Sequence, residues 1–460
     1  MNGRSAFRFD RRDAIMPSEF VVPPALDPGD SVAIVAPSSG GAADAPHVLD
    51  LGVERLRETF DLEPVVYPTA EKGNEYLETH PEERARDIHD AFRDPDVRGI
   101  VATIGGDDQL RVLPHLDAGV LRDNPTRFYG MSDNTNLQLY LWNLGIVSYN
   151  GGQLMNQVAT PGHLHEFTER HLRRAFFEES LGELEPAAEW TDDVIDWGDD
   201  AYADHEPAYE DAIGWTWRGG EERAEGRLWG GCLAIVEWHL MTGRYLPDPG
   251  ALDGCVLAIE TAEDMPSADR VKWTLMCMGE RGLLDRFGAV LVGRPATRNH
   301  RERPNDEERA AYRDRQREAI AGQLERYNPD IPVVFDLDFG HTNPPSRSRS
   351  AAERSSIPTT NGSSSGEGAA SLIVVRSGSQ REIRRGRLFA GPDEIMSAGS
   401  SSSPRSRGTS TLFTSRANRS EELFYDSPAH GSPGVRPPLA SRSLTGPIAA
   451  ALGFVSLPLR

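Results

Sequence analysis

The chain has 460 residues and a formal net charge of −22, which leaves room for two or three domains with sizeable cores. Residues 1–344 hold 34 basic and 63 acidic residues, a surplus of negative charge that disfavours nucleic acids and anionic membranes as partners. Its three cysteines have no close spacing, which argues against a disulfide framework and a zinc site. Since no apolar run has the length of a membrane span or of a signal peptide core, we expect a cytoplasmic protein.

The first part of the chain alternates buried strands with helices. Residues 1–27 are a charged N-terminal extension in which translation starts at Met1 or at Met16. Within residues 28–160, Ser31–Gly40 is predicted to be a buried strand that runs into a small-residue loop. Further strands are predicted at Pro64–Tyr67, Gly99–Ile104, Arg127–Gly130 and Ile146–Tyr149, and helices at Val48–Phe60, Pro81–Phe92 and up to Asn143. This alternation predicts parallel βαβ units, in which ligands bind at the C-terminal ends of the strands. The loop Gly105-Gly106 and the residue Ser132 both follow such ends, so we expect them to face one another.

The second part of the chain repeats this alternation after a linker. Residues 161–225 are predicted to form a linker helix, His163–Leu181, and an acidic, tryptophan-rich stretch that covers a cleft as a loop or as short hairpins. Residues 226–344 are predicted to form a second α/β domain. Its strands are expected at Val256–Glu260, Ala289–Val292 and Val333–Phe335, with helices at about 268–280 and 306–326.

Residues 345–460 are rich in Ser, Arg, Gly and Pro, without an amphipathic period. Two interpretations stay open, a disordered tail and a product of a shifted reading frame. A shift by two bases after Pro344 can encode a turn and a closing strand, and resequencing the gene across codons 340–370 tests this. An RNA-binding tail is a further alternative, but 15 arginines against 8 acidic residues is a weak basic surplus for that role.

The stretch Arg127–Thr135 is typical of a nucleophile turn. An apolar run ends at Gly130, Ser132 follows two residues later, and a helical pattern begins at once. A serine on such a turn presents its hydroxyl at the positive end of the next helix, where backbone N–H groups stabilise an oxyanion. The alternative is an ordinary helix cap, because Ser, Asp, Asn and Thr all cap helices well.

Two further residues at strand ends have the chemistry to assist a serine. Glu260 ends an apolar strand, and His341 follows the segment Phe335–Gly340. Taken singly, each also fits a structural role, as a charge emerging at a strand end and as a packed histidine. Together with Ser132 they supply a nucleophile, a general base and a residue that orients the base.

These blocks resemble the three catalytic blocks of the serine L,D-carboxypeptidase family, which includes the microcin C self-immunity peptidases. The resemblance covers residues 28–344 and is carried by Gly130–Thr135, Ile259–Thr261 and Phe339–Pro344, with further matches at Val32–Gly40, Thr103–Gly106, Leu228–Gly231 and Leu291–Pro295. The family implies Ser132 as the nucleophile, His341 as its base and Glu260 as the residue that orients His341. It further implies an oxyanion hole made by the backbone N–H groups of Gly106 and Asp133.

The resemblance also implies a fold and an assembly. The expected fold is α/β, with a Rossmann- or flavodoxin-like parallel-sheet domain followed by a smaller, β-rich C-terminal α/β domain. The expected assembly is a homodimer without metal or organic cofactor. Two departures from the family are Cys232, where asparagine is usual, and the absence of the strand expected after the histidine.

The resemblance leaves the substrate open between two classes. One is a small peptide or aminoacyl-nucleotide compound, as in the immunity branch, with Trp215, Trp217 or Trp229 stacking on the base. The other is a murein tetrapeptide. A non-catalytic binding protein on the same scaffold is the alternative of a different class.

Two weaker motifs suggest other chemistry. Gly105-Gly106-Asp107-Asp108 superficially resembles the signature loop of nucleotide cyclases, but that loop belongs on an antiparallel hairpin. His163 and His165 have metal-binding side chains, but they lack supporting carboxylates or cysteines at the right spacing.

Overall fold

The computed structural model describes residues 20–219, 224–343, 348–350 and 373–375, all within the first of two compact units, Met1–Leu388. The alternative start at Met16 and the greater part of the predicted tail lie outside the described residues. Within the part that is described, no helix combines the length and apolar character needed to cross a membrane.

The first domain is built around a parallel sheet. Its strands are β1 (Ser31–Val35), β2 (Glu63–Val66), β3 (Val97–Ala102), β4 (Arg127–Gly130) and β5 (Ser148–Asn150). Its helices are α1 (Gly41–Asp44), α2 (Pro46–Glu58), α3 (Asn74–Thr79), α4 (Pro81–Arg93), α5 (Ala118–Asp123), α6 (Thr135–Asn143) and α7 (Glu166–Phe177). The parallel strands lie in the order β2-β1-β3-β4-β5, which is the flavodoxin-like order.

Helices cover both faces of this sheet, which explains why its strands are continuous apolar runs. Apolar side chains of α2 and α7 pack on one face, and those of α4, α5 and α6 pack on the other. Both α2 and α4 begin with a proline at the first helical position, where a missing N–H costs nothing. The strand order reverses between β1 and β3, so the loops after these two strands border a crevice.

The segment between the domains contains short strands. These are β6 (Glu189–Trp190), β7 (Glu210–Asp211), β8 (Thr216–Arg218) and β9 (Ala224–Gly226). Strands β6 and β7 form a small antiparallel pair. The predicted linker helix corresponds to α7, and the predicted loop region contains these short strands.

The second domain has its own sheet. Its elements are β10 (Leu228–Cys232), α8 (Leu233–Thr242), β11 (Val256–Glu260), α9 (Ala268–Glu280), β12 (Ala289–Gly293), α10 (Asp306–Tyr327) and β13 (Val333–Leu337). Strands β10-β11-β12-β13 are parallel, and β8 joins β13 as an antiparallel edge strand. Two short strands follow, β14 (Ser348–Ser350) on β5 and β15 (Ile373–Val375) on β9. The expected fold class, a parallel-sheet domain followed by a second α/β domain, is confirmed.

Helix α6 joins the two domains. Its buried Leu139 and Trp142 belong to the same apolar core as Trp229 and Leu233 of the second domain. The indole N–H of Trp142 donates to the carbonyl of Leu228 at 3.0 Å. Because α6 begins directly after the Ser132 turn, this shared core brings that turn to the second sheet.

Candidate active site

Ser132 lies on a strained turn between β4 and α6. Its φ angle is +59°, a left-handed conformation that is uncommon for a residue other than glycine. A short 3₁₀ turn, Ser132–Asn134, leads directly into α6. A Cβ built on Gly105 would lie 2.9 Å from the Ser132 hydroxyl oxygen, so only a glycine fits there. The loop after β3 therefore faces Ser132, as the strand topology predicts.

The orientation of the Gly105–Gly106 peptide is set by Ser39, which follows β1. The hydroxyl and the backbone N–H of Ser39 both donate to the Gly105 carbonyl, at 2.6 and 3.3 Å. In a trans peptide the carbonyl and the following N–H point in opposite directions. The N–H of Gly106 is therefore directed away from Ser39, and its place in an oxyanion hole stays a prediction.

The carboxylate of Asp133 anchors the same loop. It accepts hydrogen bonds from the N–H groups of Asp108 and Gln109, at 3.1 and 2.8 Å, and from the Ser38 hydroxyl. Its other oxygen accepts from the Asn136 amide at 2.7 Å. The side chain is fully buried. Burial raises the pKa of Asp133 to about 6, although the hydrogen bonds from Ser38 and from the loop lower it.

Glu260 and His341 form a buried pair at the C-terminal edge of the second sheet. The Nδ1 atom of His341 lies 2.6 Å from Oε2 of Glu260, the last residue of β11. Gly340 has a φ angle of +101°, and a Cβ built there would lie 2.8 Å from Glu260 Cβ. A glycine before the histidine therefore lets the two chains approach closely.

The second ring nitrogen of His341 also contacts a carboxylate. Nε2 lies 3.2 Å from Oε2 of Glu263, whose side chain is 63% exposed. Burial lowers the pKa of His341, but the charges of Glu260 and then Glu263 raise it, with Asp264 adding to them, to about 9 overall. At neutral pH the imidazole is therefore mostly protonated.

Ser132 and His341 lie in different domains, after β4 and after β13. Among residues 20–219 and 224–343, no hydrogen bond joins the Ser132 hydroxyl to His341. A link between the domains lies close by, because the N–H of Cys232 donates to the Thr135 hydroxyl at 3.1 Å. Cys232 is also the register partner of Glu260 in the second sheet. The structure thus brings Glu260 and His341 into contact, and helix α6, which follows Ser132, connects the third predicted catalytic residue to the second domain.

The segment between the domains holds the His341 loop. Thr191 and Asn343 pair through two backbone hydrogen bonds, at 2.5 and 2.8 Å. Asp338 is fully buried and forms an ion pair with Arg294 at 2.7 Å. The indole N–H of Trp215 donates to the same carboxylate at 2.9 Å. His341 therefore sits on a segment that is fixed on both sides.

The three predicted stacking residues differ in exposure. Trp229 is 1% exposed and packs against Phe287 in the core, with ring centroids 5.9 Å apart. Its ring is enclosed and not available to a ligand, contrary to the expectation from the sequence. Trp215 and Trp217 are half-buried and cover the outer face of the second sheet. Their contact with a substrate stays a prediction.

The weaker motifs have ordinary surroundings. Strand β3, which precedes Gly105–Asp108, is parallel to both of its neighbours, so this loop does not sit on the antiparallel hairpin of a cyclase. His163 contacts Glu206, and His165 contacts Glu189. Within the described residues, no group of three or more His, Cys, Asp or Glu side chains has the geometry of a metal site.

Three side chains near the site escape sequence reasoning. Arg84 on α4 is fully buried and binds Asp108 at 2.5 Å, which supports the loop after β3. Glu263 contacts His341, and the Asp133 carboxylate binds the loop after β3, whereas the sequence predicts a role only for the Asp133 N–H. The sequence signal that could indicate Glu263 is its position only three residues after Glu260.

Known proteins with similar sequences belong to one family. The profile of the LD-carboxypeptidase N-terminal domain matches residues 32–151, and that of the C-terminal domain matches residues 225–347. A putative carboxypeptidase of Vibrio cholerae is 26% identical over 323 residues, which cover 70% of this chain and 90% of that protein. The microcin C7 self-immunity protein MccF of Escherichia coli is 24% identical over 322 residues, which cover 69% of this chain and 87% of that protein.

Solved structures agree with this. The crystal structure of an MccF-like protein from Streptococcus pneumoniae in complex with AMP has a TM-score of 0.62 and 26% identity. The match covers 70% of this chain and 94% of that one. Since the two domain profiles match more than half of the chain, in chain order and on the expected fold, the protein belongs to the LD-carboxypeptidase family.

Proposed function

We propose that the protein is a serine carboxypeptidase or amidase with Ser132, His341 and Glu260 as its catalytic triad. The observation that carries this proposal is the buried contact between His341 Nδ1 and Glu260 Oε2. A carboxylate on one ring nitrogen fixes the tautomer that leaves the other nitrogen to take a proton. The strained turn at Ser132 supplies the matching nucleophile.

The reaction proceeds in two halves. Ser132 Oγ attacks the scissile carbonyl carbon while its proton passes to His341 Nε2, and the N–H groups of Gly106 and Asp133 stabilise the oxyanion. The C–N bond then breaks, and the leaving nitrogen takes the proton from His341. Water, deprotonated by the same imidazole, hydrolyses the acyl-enzyme and returns Ser132 to its free form.

The substrate that we favour is a small peptide or an aminoacyl-nucleotide compound. The support is the similarity to MccF and to the MccF-like structure that binds AMP. Trp215 and Trp217 offer partly exposed aromatic rings for stacking on a base. A murein tetrapeptide is the second candidate, because the family is named for LD-carboxypeptidase activity.

We further propose a cytoplasmic homodimer without metal or organic cofactor. The family resemblance supports the dimer, and the three unpaired cysteines support a reducing compartment. Size-exclusion chromatography with light scattering tests the dimer.

Turnover of two substrates tests the proposed activity. An aminoacyl-sulfamoyl adenosine and a murein tetrapeptide are incubated with the wild-type protein and with Ser132→Ala. We expect hydrolysis of the first compound, and a loss on the order of a million-fold in the variant, because the nucleophile is removed. Binding without turnover of either compound by the wild type would instead indicate a non-catalytic binding protein.

A further inference from the structure

The contact between Glu263 and His341 conflicts with the proposed role of the imidazole. A histidine has two ring nitrogens, and Glu260 occupies Nδ1. Only Nε2 is left to accept the proton of a nucleophile, yet Oε2 of Glu263 lies 3.2 Å from it. In this conformation the nitrogen needed for catalysis is already paired.

Charge as well as geometry opposes catalysis in this arrangement. With carboxylates at both nitrogens, the pKa of His341 is about 9. At pH 7 the imidazole is then mostly protonated and cannot act as a base. Release of Glu263 would both expose Nε2 and favour loss of its proton.

Glu263 is able to move, whereas Glu260 is not. The Glu260 side chain is completely buried, but that of Glu263 is 63% exposed. The backbone carbonyl of Glu263 accepts a hydrogen bond from Asn299 at 2.9 Å, so a side-chain rotation alone is enough to break the contact. Such rotations of exposed side chains take picoseconds to nanoseconds.

The groups around His341 are predominantly acidic. Glu260 on β11, and Glu263 and Asp264 in the loop that follows, all raise its pKa. The nearby cation, Arg270 on α9, is engaged by Asp264 and by Glu237 on α8. Among residues 20–219 and 224–343, His341 is the only basic side chain within ion-pair distance of Glu263.

We propose that Glu263 is a specificity residue that blocks His341 Nε2 in the free enzyme and is drawn off by an ammonium group of the substrate. This inference rests on the proposed function, because it assigns a regulated base to the same site. The ammonium group takes the place of the imidazolium as the partner of Glu263, and the imidazole loses its proton to solvent. The preferred substrate therefore carries a free amino group close to the scissile bond.

Linkage makes the proposal measurable. If an ammonium ion favours the neutral imidazole, then proton loss from His341 and binding of the ammonium group strengthen one another equally. The pH dependence of kcat/KM reports the free enzyme, and that of kcat reports the enzyme–substrate complex. The acidic limb of kcat should therefore lie at lower pH than that of kcat/KM.

The kinetic test compares an aminoacyl-sulfamoyl adenosine with its N-acetylated form. For the wild type with the free amine, we expect the acidic limbs of kcat and kcat/KM to lie at different pH values. With the acetylated compound, the two acidic limbs should coincide. In Glu263→Gln the limbs should coincide for both compounds, and the acidic limb of kcat/KM should move to lower pH. Glu82→Gln removes the same charge from an exposed position on α4 and should behave as the wild type. Coinciding limbs for the free amine in the wild type, or a separation that persists in Glu263→Gln, would overturn the proposal.

A second measurement does not depend on turnover. The pKa of the His341 imidazole is followed by NMR in substrate-free protein, with the signal assigned by its absence in His341→Gln. We expect a lower pKa in Glu263→Gln than in the wild type, with Glu82→Gln unchanged. Equal pKa values of the His341 imidazole in the wild type and in Glu263→Gln would show that Glu263 does not contact His341 Nε2 in solution. A lack of turnover with a lowered pKa would instead refute the proposed function and leave the contact intact.

Discussion

Asp133 couples the residue after the proposed nucleophile to the loop that faces it. Its carboxylate accepts hydrogen bonds from the N–H groups of Asp108 and Gln109, so this buried side chain helps to position the loop that contains Gly106, together with Ser39. A buried acid with a raised pKa favours the folded state when protonated. Its contribution is fully present below the ordinary pKa of an aspartic acid and is lost as the pH rises through about 6.

Replacement of Asp133 by asparagine should change how stability depends on pH. Asparagine cannot ionise, so the variant lacks the cost of holding a buried negative charge at pH 7. Between pH 4 and pH 7, we expect its free energy of unfolding to rise relative to that of the wild type by about 2 kcal/mol. Chemical denaturation at a series of pH values measures this difference. A constant difference over that range would show that Asp133 ionises normally.

At the scale of elements, the proposed site is a set of strand ends. Cys232, Glu260 and Gly293 end three neighbouring parallel strands of the second sheet, and His341 follows the fourth. Parallel strands bring all of their C-terminal ends to one edge, where chain segments must approach closely. The contact between Gly340 and Glu260 is one such approach.

Gly340→Ala should disturb this edge more than a comparable glycine elsewhere. The added methyl group meets Glu260 Cβ at 2.8 Å, whereas the same change at Gly29 meets nothing within 4 Å. The φ angles of the two glycines are similar, +101° and +88°, so the cost of the left-handed backbone is matched. We expect Gly340→Ala to lose about 1–3 kcal/mol more in the free energy of unfolding, and most of the activity. Equal losses in the two variants would show that the close approach does not matter.

The elements were more predictable from the sequence than the contacts between them. The strand Val256–Glu260 is confirmed residue for residue, because a parallel strand buried on both faces is a continuous apolar run. The last strand of the first sheet is displaced to Ser148–Asn150, since Ile146 forms only an isolated bridge with Val21. For the contact of Glu263 with His341 the sequence offers only the short spacing from Glu260, because an exposed loop glutamate otherwise resembles any other.

At the scale of the whole molecule, the proposed chemistry depends on the two domains being joined. The turn with the proposed nucleophile Ser132 follows a strand of the first sheet, whereas Glu260 ends a strand of the second sheet and His341 follows another. Trp142 and Trp229 share one core, and Thr135 bonds the N–H of Cys232. The proposed activity therefore requires both domains, because neither sheet by itself carries all three residues of the proposed triad.

Covalent labelling tests the central claim most directly. The intact protein is treated with a fluorophosphonate at pH 9, where the imidazole of His341 is substantially neutral, and the adduct is located by peptide mass spectrometry. We predict one adduct, on Ser132, which forms more slowly at pH 7 and is absent in Ser132→Ala and His341→Ala. An unmodified Ser132 in the folded wild-type protein, or equal labelling of His341→Ala, would contradict the assignment of this serine as a nucleophile activated by that histidine.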